Sequence, residues 1–407
     1  MSVRVLTRGF NALLVTQFFG ATNDNLFKQI IALQVVSGIW QGRLGDGGQG
    51  VVTVLFTVPF ILFSGWAGEL ADRVSKTRLA RWLKILEIVI ANLALAALLW
   101  GNLPFSLGVL FALALQSVFF GPAKYGMIPE ILPEQALSRA NGAINMLTNI
   151  AILTGAAIGG ILSQAYAAHP ALPGSILFAV ALAGFGASLL LPAIPAADPS
   201  ARFSANPFAP YLSAFASMRQ SPGLLAVTLG WGFFYFAAIL VIQAILDFQS
   251  ILHLDDRQTS LLNVPLVLGI GAGSLLAGRL SGDRIRPGLV PVGAAGLAAF
   301  LLLFGVVPLT LPIAWIGLGL LGLFGGLYIV PLQALIQARA PAGHRGRTLG
   351  AANFMSFCFI AAGGGVYWLG RSPAVGATAP AILFACGILV AAATALLWRR
   401  MKAARIA

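Results

Sequence analysis

Apolar residues in this chain come in long runs, separated by short breaks rich in glycine, proline and charge. Several windows exceed the ~18 apolar residues that mark a membrane-spanning helix. Twelve spans are predicted, at 9–39, 50–71, 79–101, 105–128, 139–166, 174–194, 223–247, 259–280, 288–308, 312–336, 346–369 and 376–399. The pattern predicts an all-α membrane protein of twelve transmembrane helices.

Composition agrees. The hydrophobic share is 58%, charged residues are 9%, and mean hydropathy is +0.90. No soluble chain of this length needs so much apolar surface for a core. The net charge of +13 raises the question of a nucleic-acid partner, but placement argues against one. With Met1 inside, the inner segments hold Arg73, Lys76, Arg78, Arg81, Arg202, Arg219, Arg279, Arg339, Arg399, Arg400 and Lys402 among others. The outer segments hold Arg43, Arg257 and Arg371. This is the positive-inside bias, and it predicts both termini in the cytoplasm, with some attraction to anionic membrane lipids.

The first apolar run is too long for a signal-peptide core and is expected to stay as a membrane helix. Cys358 and Cys386 lie in late spans as small hydrophobes. His169, His253 and His344 fall in loops or at helix ends. No His, Cys and carboxylate cluster has metal or nucleophile spacing, so no metal site, cofactor or intramembrane enzyme is expected.

The informative polar residues are those inside the runs. Asp24 and Lys28 sit four residues apart in the first span and share a helical face with Gln17. Ionised groups at membrane depth are costly unless they face a cavity or a partner, which makes both candidates for a functional site. An internal ion pair that only fixes packing would also suit this spacing. Lys124 follows Gly121-Pro122 in the fourth span, where a kink or loosening is expected, and shares a face with Gln116. It either snorkels to the inner interface or contacts a phosphate. Asn141, Asn145 and Asn149 form a stripe on the fifth span suited to interhelical hydrogen bonds. Lys84 and Glu87 are expected to be a peripheral pair. Asp247, Asp255 and Asp256 are expected to be solvated at the outer mouth.

The chain also repeats itself. Pro133, Arg139, Gly142 and Asn145 match Pro341, Arg347, Gly350 and Asn353 at one common offset. Residues 1–195 are predicted to form a six-helix bundle and 196–222 a cytoplasmic linker. A second six-helix bundle with a basic tail is predicted over 223–407. Between the second and third spans lies GELADRVSKTRL, from Gly68 to Leu79. It resembles the signature loop of the major facilitator superfamily, G-x-L-A-D-R-x-G-R-[RK], with Ser75 where the family usually has glycine. Gly68 is expected to allow close helix packing, Asp72 to meet a helix N-terminus or an arginine, and Arg73, Lys76 and Arg78 to hold the cytoplasmic face.

A narrower resemblance rests on QFFGATNDNLFKQ (Gln17 to Gln29), FFGPAKYGMIPE (Phe119 to Glu130) and FGGLYIVPLQALIQARAPAGHRGR (Phe324 to Arg347). Together these strings are similar to the lysophospholipid transporter family, especially the transporter half of transporter–acyltransferase fusions. The resemblance implies the major facilitator fold. It also implies movement of lysophospholipid to the inner leaflet of the bacterial inner membrane, where an acyltransferase partner would restore the second chain. The first, fourth, seventh and tenth spans would line the cavity. Asp24, Lys28, Lys124, Asn23, Asn25, Gln116 and Tyr328 are placed there as substrate contacts, and Asn145 of the fifth span is added to them as a second reading of its stripe. Tyr235, Gln243, Gln333 and Gln337 are weaker candidates. The arginine that stand-alone members carry in the seventh helix has no counterpart in LGWGFFYFAAILVIQ. A proton-coupled exporter of amphipathic drugs, with Asp24 titrating, fits the same buried charge. A non-transporting scaffold for an acyltransferase fits the fold but leaves Asp24 and Lys124 unexplained.

Overall fold

Each predicted apolar segment is helical in the computed structural model, which describes residues 7–133, 137–196, 206–221, 223–281, 285–340 and 345–404. The long helices are α1 (Arg8–Val36), α2 (Gly48–Arg73), α3 (Lys76–Leu99), α4 (Leu103–Ile131), α5 (Leu137–Ala165) and α6 (Ala171–Leu189). They continue with α8 (Leu224–Leu252), α10 (Asn263–Ser281), α11 (Leu289–Val306), α12 (Leu311–Arg339), α13 (Arg345–Arg371) and α14 (Ala379–Ala403). Two short helices, α7 (Ala209–Gln220) and α9 (Asp256–Leu261), complete the order. Among the described residues, 11 helical stretches are long and apolar enough to cross a membrane. The long helix missing from that set is α1, whose apolar run is interrupted by Gln17, Asn23, Asp24, Asn25, Lys28, Gln29 and Gln34.

Helix ends follow local chemistry. Thr7 caps α1 by accepting from the Phe10 amide, and Asn102 caps α4 through the Phe105 amide. The span expected at 259–280 begins earlier, as α9. Asp255 and Gln258 form a capping box there, and the helix is interrupted at Leu262 before α10 starts. The predicted linker contains α7, with proline in its first turn.

The chain divides into two compact units: Met1–Trp40 with Val58–Pro207, and Gln41–Thr57 with Phe208–Ala407. Four helix pairings recur in both. In the first unit α1 packs on α5 and α6, and α3 on α4 and α6. In the second, α8 packs on α13 and α14, and α11 on α12 and α14. The sequence repeat is therefore visible as repeated packing.

Small residues set the closest approaches, as helix association in lipid requires. A Cβ added at Gly273 of α10 would lie 1.9 Å from the Leu323 carbonyl oxygen of α12. One at Gly155 of α5 would lie 2.5 Å from the Thr22 carbonyl oxygen of α1. Gly68 does not act in this way, because a Cβ there would meet nothing within 4 Å.

Candidate functional site

Asp24 lies on α1 with 9% of its surface exposed. Its Oδ2 accepts from Ser117 Oγ of α4 at 2.5 Å. Ser117 also meets Gln116 Oε1 at 3.2 Å, and Gln116 Nε2 donates to the Leu83 carbonyl of α3 at 3.2 Å. Asp24 Oδ1 and Asn23 Oδ1 are both buried with no hydrogen-bond partner among the described residues. Buried acceptors are ordinarily paired, so two open ones on adjacent residues mark a place where a donor would be welcome.

Lys28 Nζ donates to Asn25 Oδ1 at 3.2 Å, and Asn25 Nδ2 bonds back to the Ala21 carbonyl at 2.8 Å. Gln17 Nε2 reaches Thr148 Oγ1 of α5 at 3.0 Å. Lys124 is 8% exposed and its ammonium lies 4.5 Å from the centre of the Tyr125 ring. It is therefore inside the unit and does not snorkel to an interface. It forms no hydrogen bond among the described residues, and it lies within electrostatic reach of Asp24 and Lys84. α4 runs unbroken through Gly121-Pro122, so the expected loosening there does not interrupt the helix.

The expectation of a peripheral Lys84–Glu87 pair is overturned. Both residues are 1% exposed or less, and Lys84 Nζ lies 2.6 Å from Glu87 Oε2. Glu87 Oε1 accepts from Asn23 Nδ2 at 3.1 Å, which ties α3 to α1 beside Asp24. The first unit thus gathers Asn23, Asp24, Lys84, Glu87, Gln116, Ser117 and Lys124. The side chains of Asn141 and Asn145 lie outside the described residues; Asn149 is exposed.

Tyr328 also needs correction as a substrate contact. It is 3% exposed in the core of the second unit, where its hydroxyl donates to the Gly230 carbonyl at 3.1 Å. Its ring stacks on Phe234 at 6.2 Å. With its surface and its donor both used, it is a packing residue. Gln243 is likewise occupied, donating to Thr53 Oγ1 at 2.5 Å and to the Gln49 carbonyl at 3.0 Å. Gln337 has its side chain outside the described residues, and Gln333 is exposed.

The acidic residues expected at the outer mouth are not simply solvated. Asp255 caps α9, Asp256 accepts from Gln249 Nε2 at 2.6 Å, and Asp247 is 8% exposed. Asp247 accepts from Gln49 Nε2 at 2.8 Å and from the Tyr367 hydroxyl at 2.8 Å.

In the signature loop, Ser75 has a role that the usual glycine could not fill. It caps α3 at the Arg78 amide and donates to the Ile194 carbonyl at 2.5 Å. Lys76 does not lie on an open cytoplasmic face. It is 3% exposed and pairs with Glu130 Oε1 of α4 at 2.6 Å. Arg73 and Arg78 border an open groove with Trp82 and Ile194. The Asp72 side chain lies outside the described residues.

Long apolar helices among the described residues, helix pairings that recur in two units, and charge buried inside the first unit mark a membrane transporter of the facilitator type. The sequence matches the Major Facilitator Superfamily over residues 13–365. It is 30% identical to the lysophospholipid transporter LplT of Cronobacter sakazakii over 364 residues, covering 86% of this chain and 84% of that protein. The protein of the same name from Photorhabdus laumondii is 29% identical over 336 residues, covering 82% of this chain and 81% of its own. The chain therefore belongs to the major facilitator superfamily and, within it, to the lysophospholipid transporter family. Two solved structures share the fold at low identity. One is a bacterial homolog of the human lysosomal transporter Spinster, inward-facing and unoccupied (TM-score 0.71, 14% identity, 97% of this chain and 98% of that chain). The other is a POT family transporter in complex with a thioalcohol-conjugated peptide (TM-score 0.73, 13% identity, 98% and 96%).

Proposed function

We propose that this chain is an alternating-access transporter that moves lysophospholipids across the bacterial inner membrane to the cytoplasmic leaflet, with both termini in the cytoplasm. The observation that carries this reading is the buried cluster of the first unit, where, among the described residues, Lys124 forms no hydrogen bond and Asp24 and Asn23 each keep an open acceptor. A lysophospholipid headgroup supplies the complements: a phosphate for the ammonium, and N–H or O–H donors for the oxygens. Lys124 binds the phosphate. Asp24 and Asn23 take the donors, Ser117 steadies the Asp24 carboxylate by donating to it, Gln116 lies beside them anchored to the Leu83 carbonyl, and Lys28 with Asn25 extends the polar face of α1. Sparse charge in an apolar surround suits a molecule with one small polar head and one acyl chain. A sugar carrier would need many more hydrogen-bonding side chains.

Arg73 and Arg78 serve the conformational cycle from the signature loop, together with Asp72 and Lys76. Re-acylation by a cytoplasmic acyltransferase consumes the delivered substrate, so the cycle needs no ion gradient. Leaflet-resolved uptake of lysophosphatidylethanolamine in spheroplasts, with and without the protein, tests the function. Uptake that depends on the protein and persists after an uncoupler is expected. Complete loss with the uncoupler, with substrate metabolism controlled, would favour a proton-coupled exporter of amphipathic compounds.

A further inference from the structure

The Lys84–Glu87 pair sits deep between helices yet makes no contact that an apolar pair could not replace for packing alone. Removing two charges from water is costly, and buried ion pairs exchanged for well-packed apolar residues often leave a protein equally stable. What an apolar pair cannot do is fix an amide. Glu87 Oε2 is occupied by Lys84 at 2.6 Å, and Oε1 takes Asn23 Nδ2 at 3.1 Å. An ionised carboxylate only accepts, so Asn23 must turn its nitrogen to Glu87 and its oxygen away. Among the described residues Asn23 Oδ1 is one of the buried atoms without a hydrogen-bond partner, and Asp24 Oδ1 beside it is another.

Four helices hold the pair in this arrangement. Lys84 Nζ lies 5.1 Å from the centre of the Phe120 ring of α4. A Cβ on Gly20 of α1 would sit 2.4 Å from the same nitrogen, and one on Gly184 of α6 would sit 3.7 Å from it. Gly20 leaves the space that lets the ammonium lie against α1. A flexible lysine is held here in one place.

We infer that Lys84 and Glu87 are positioning residues for headgroup recognition: they orient the Asn23 amide so that its carbonyl oxygen stays open, next to the Asp24 carboxylate, for the N–H or O–H donors of the substrate head. This rests on the lysophospholipid reading above. It follows that an ethanolamine head, with N–H donors, is preferred to a choline head, whose quaternary nitrogen has none.

The test compares two uncharged replacements in proteoliposomes. Lys84→Met with Glu87→Gln keeps a carbonyl that can accept from Asn23; Lys84→Met with Glu87→Leu does not. Uptake of lysophosphatidylethanolamine and lysophosphatidylcholine is measured for both and for the wild type. The glutamine form still offers Asn23 an acceptor, but its NH2 no longer excludes the reversed amide, so its KM should rise only about threefold and its preference for ethanolamine should weaken without being lost. The leucine form should be produced and melt normally, yet show a KM for the ethanolamine lipid raised about tenfold and no headgroup preference, the value of one charge-assisted contact. If the leucine form does not fold, Lys84→Glu with Glu87→Lys replaces it. That exchange keeps an ion pair but presents Asn23 with a donor, and the same loss is expected. Equal behaviour of the acceptor-bearing and acceptor-free forms, or no headgroup preference in the wild type, would overturn the inference. A wild type that moves neither lipid would instead overturn the transport reading on which it rests.

Discussion

Arg371 at the end of α13 places its Nε 2.8 Å from Asp247 Oδ2 near the end of α8. The contact is one of charge more than of hydrogen bonding, because that N–H has no aligned acceptor among the described residues. Arg371 Nη1 instead donates to the Ala377 carbonyl at 3.0 Å. The carboxylate is held by Tyr367 and Gln49, the latter near the start of α2.

This arrangement predicts unequal effects on stability. Arg371→Met leaves Asp247 charged and largely buried, with only neutral donors, and should lower stability by roughly 1–3 kcal/mol. Asp247→Asn keeps an acceptor for Gln49 and turns its NH2 to the Tyr367 hydroxyl, which can accept, and should lower it less. Thermal melting in detergent reads the difference, and equal melting temperatures for the two variants would contradict the account. Because Asp247 is shielded from solvent, added salt should change the loss little.

Helix packing gives a second prediction. Gly273 abuts backbone that cannot yield, whereas a Cβ at Gly271 would meet nothing within 4 Å. Gly273→Leu should cost at least the ~3 kcal/mol at the upper end of overpacking and abolish monodisperse protein. Gly271→Leu should be produced normally. Size-exclusion profiles decide, and a well-behaved Gly273→Leu protein would show that α10 and α12 do not approach as described.

These cases show what could and could not be read from the chain. The spans were legible because lipid demands a long apolar run from each. Asp24 and Lys124 were legible because charge inside such a run has few bland explanations. Lys84 and Glu87 were missed because their span was expected to begin at residue 79, which put them near an interface. α3 starts at Lys76, so Glu87 lies about 16 Å along it at ~1.5 Å per residue. The signal that could have found them was spread over two helices: Gly20 and Asn23 on α1, and the i, i+3 pair itself on α3. Asp247 was misjudged because Arg371, its counter-charge, is far away in sequence. The capping box from Asp255 to Gln258 was present in the sequence as a helix start.

Asp24 should matter for transport and little for folding. Asp24→Asn keeps the size and an oxygen that can still accept from Ser117, while removing the charge. Protein yield should be normal and lysophospholipid uptake reduced about tenfold or more, as expected for loss of a charge-assisted contact. Wild-type uptake would remove Asp24 from the site. A lost yield would make it a packing residue.

Lys124 should read the phosphate through its charge. Buried within the first unit and without a hydrogen-bond acceptor among the described residues, its ammonium is left for an anion. A lysophospholipid and a monoacylglycerol share the acyl chain and differ in the phosphate head. Lys124→Gln should therefore weaken lysophospholipid binding by about 1.5–3 kcal/mol, roughly ten- to a hundredfold, and leave monoacylglycerol binding nearly unchanged. Lys124→Arg should retain part of the function, since the charge survives on a bulkier, planar group. Competition binding with the purified protein measures both ligands under one condition. A lysine that served only packing would give the opposite pattern, with glutamine disturbing both ligands equally or neither, and equal losses would end the phosphate assignment.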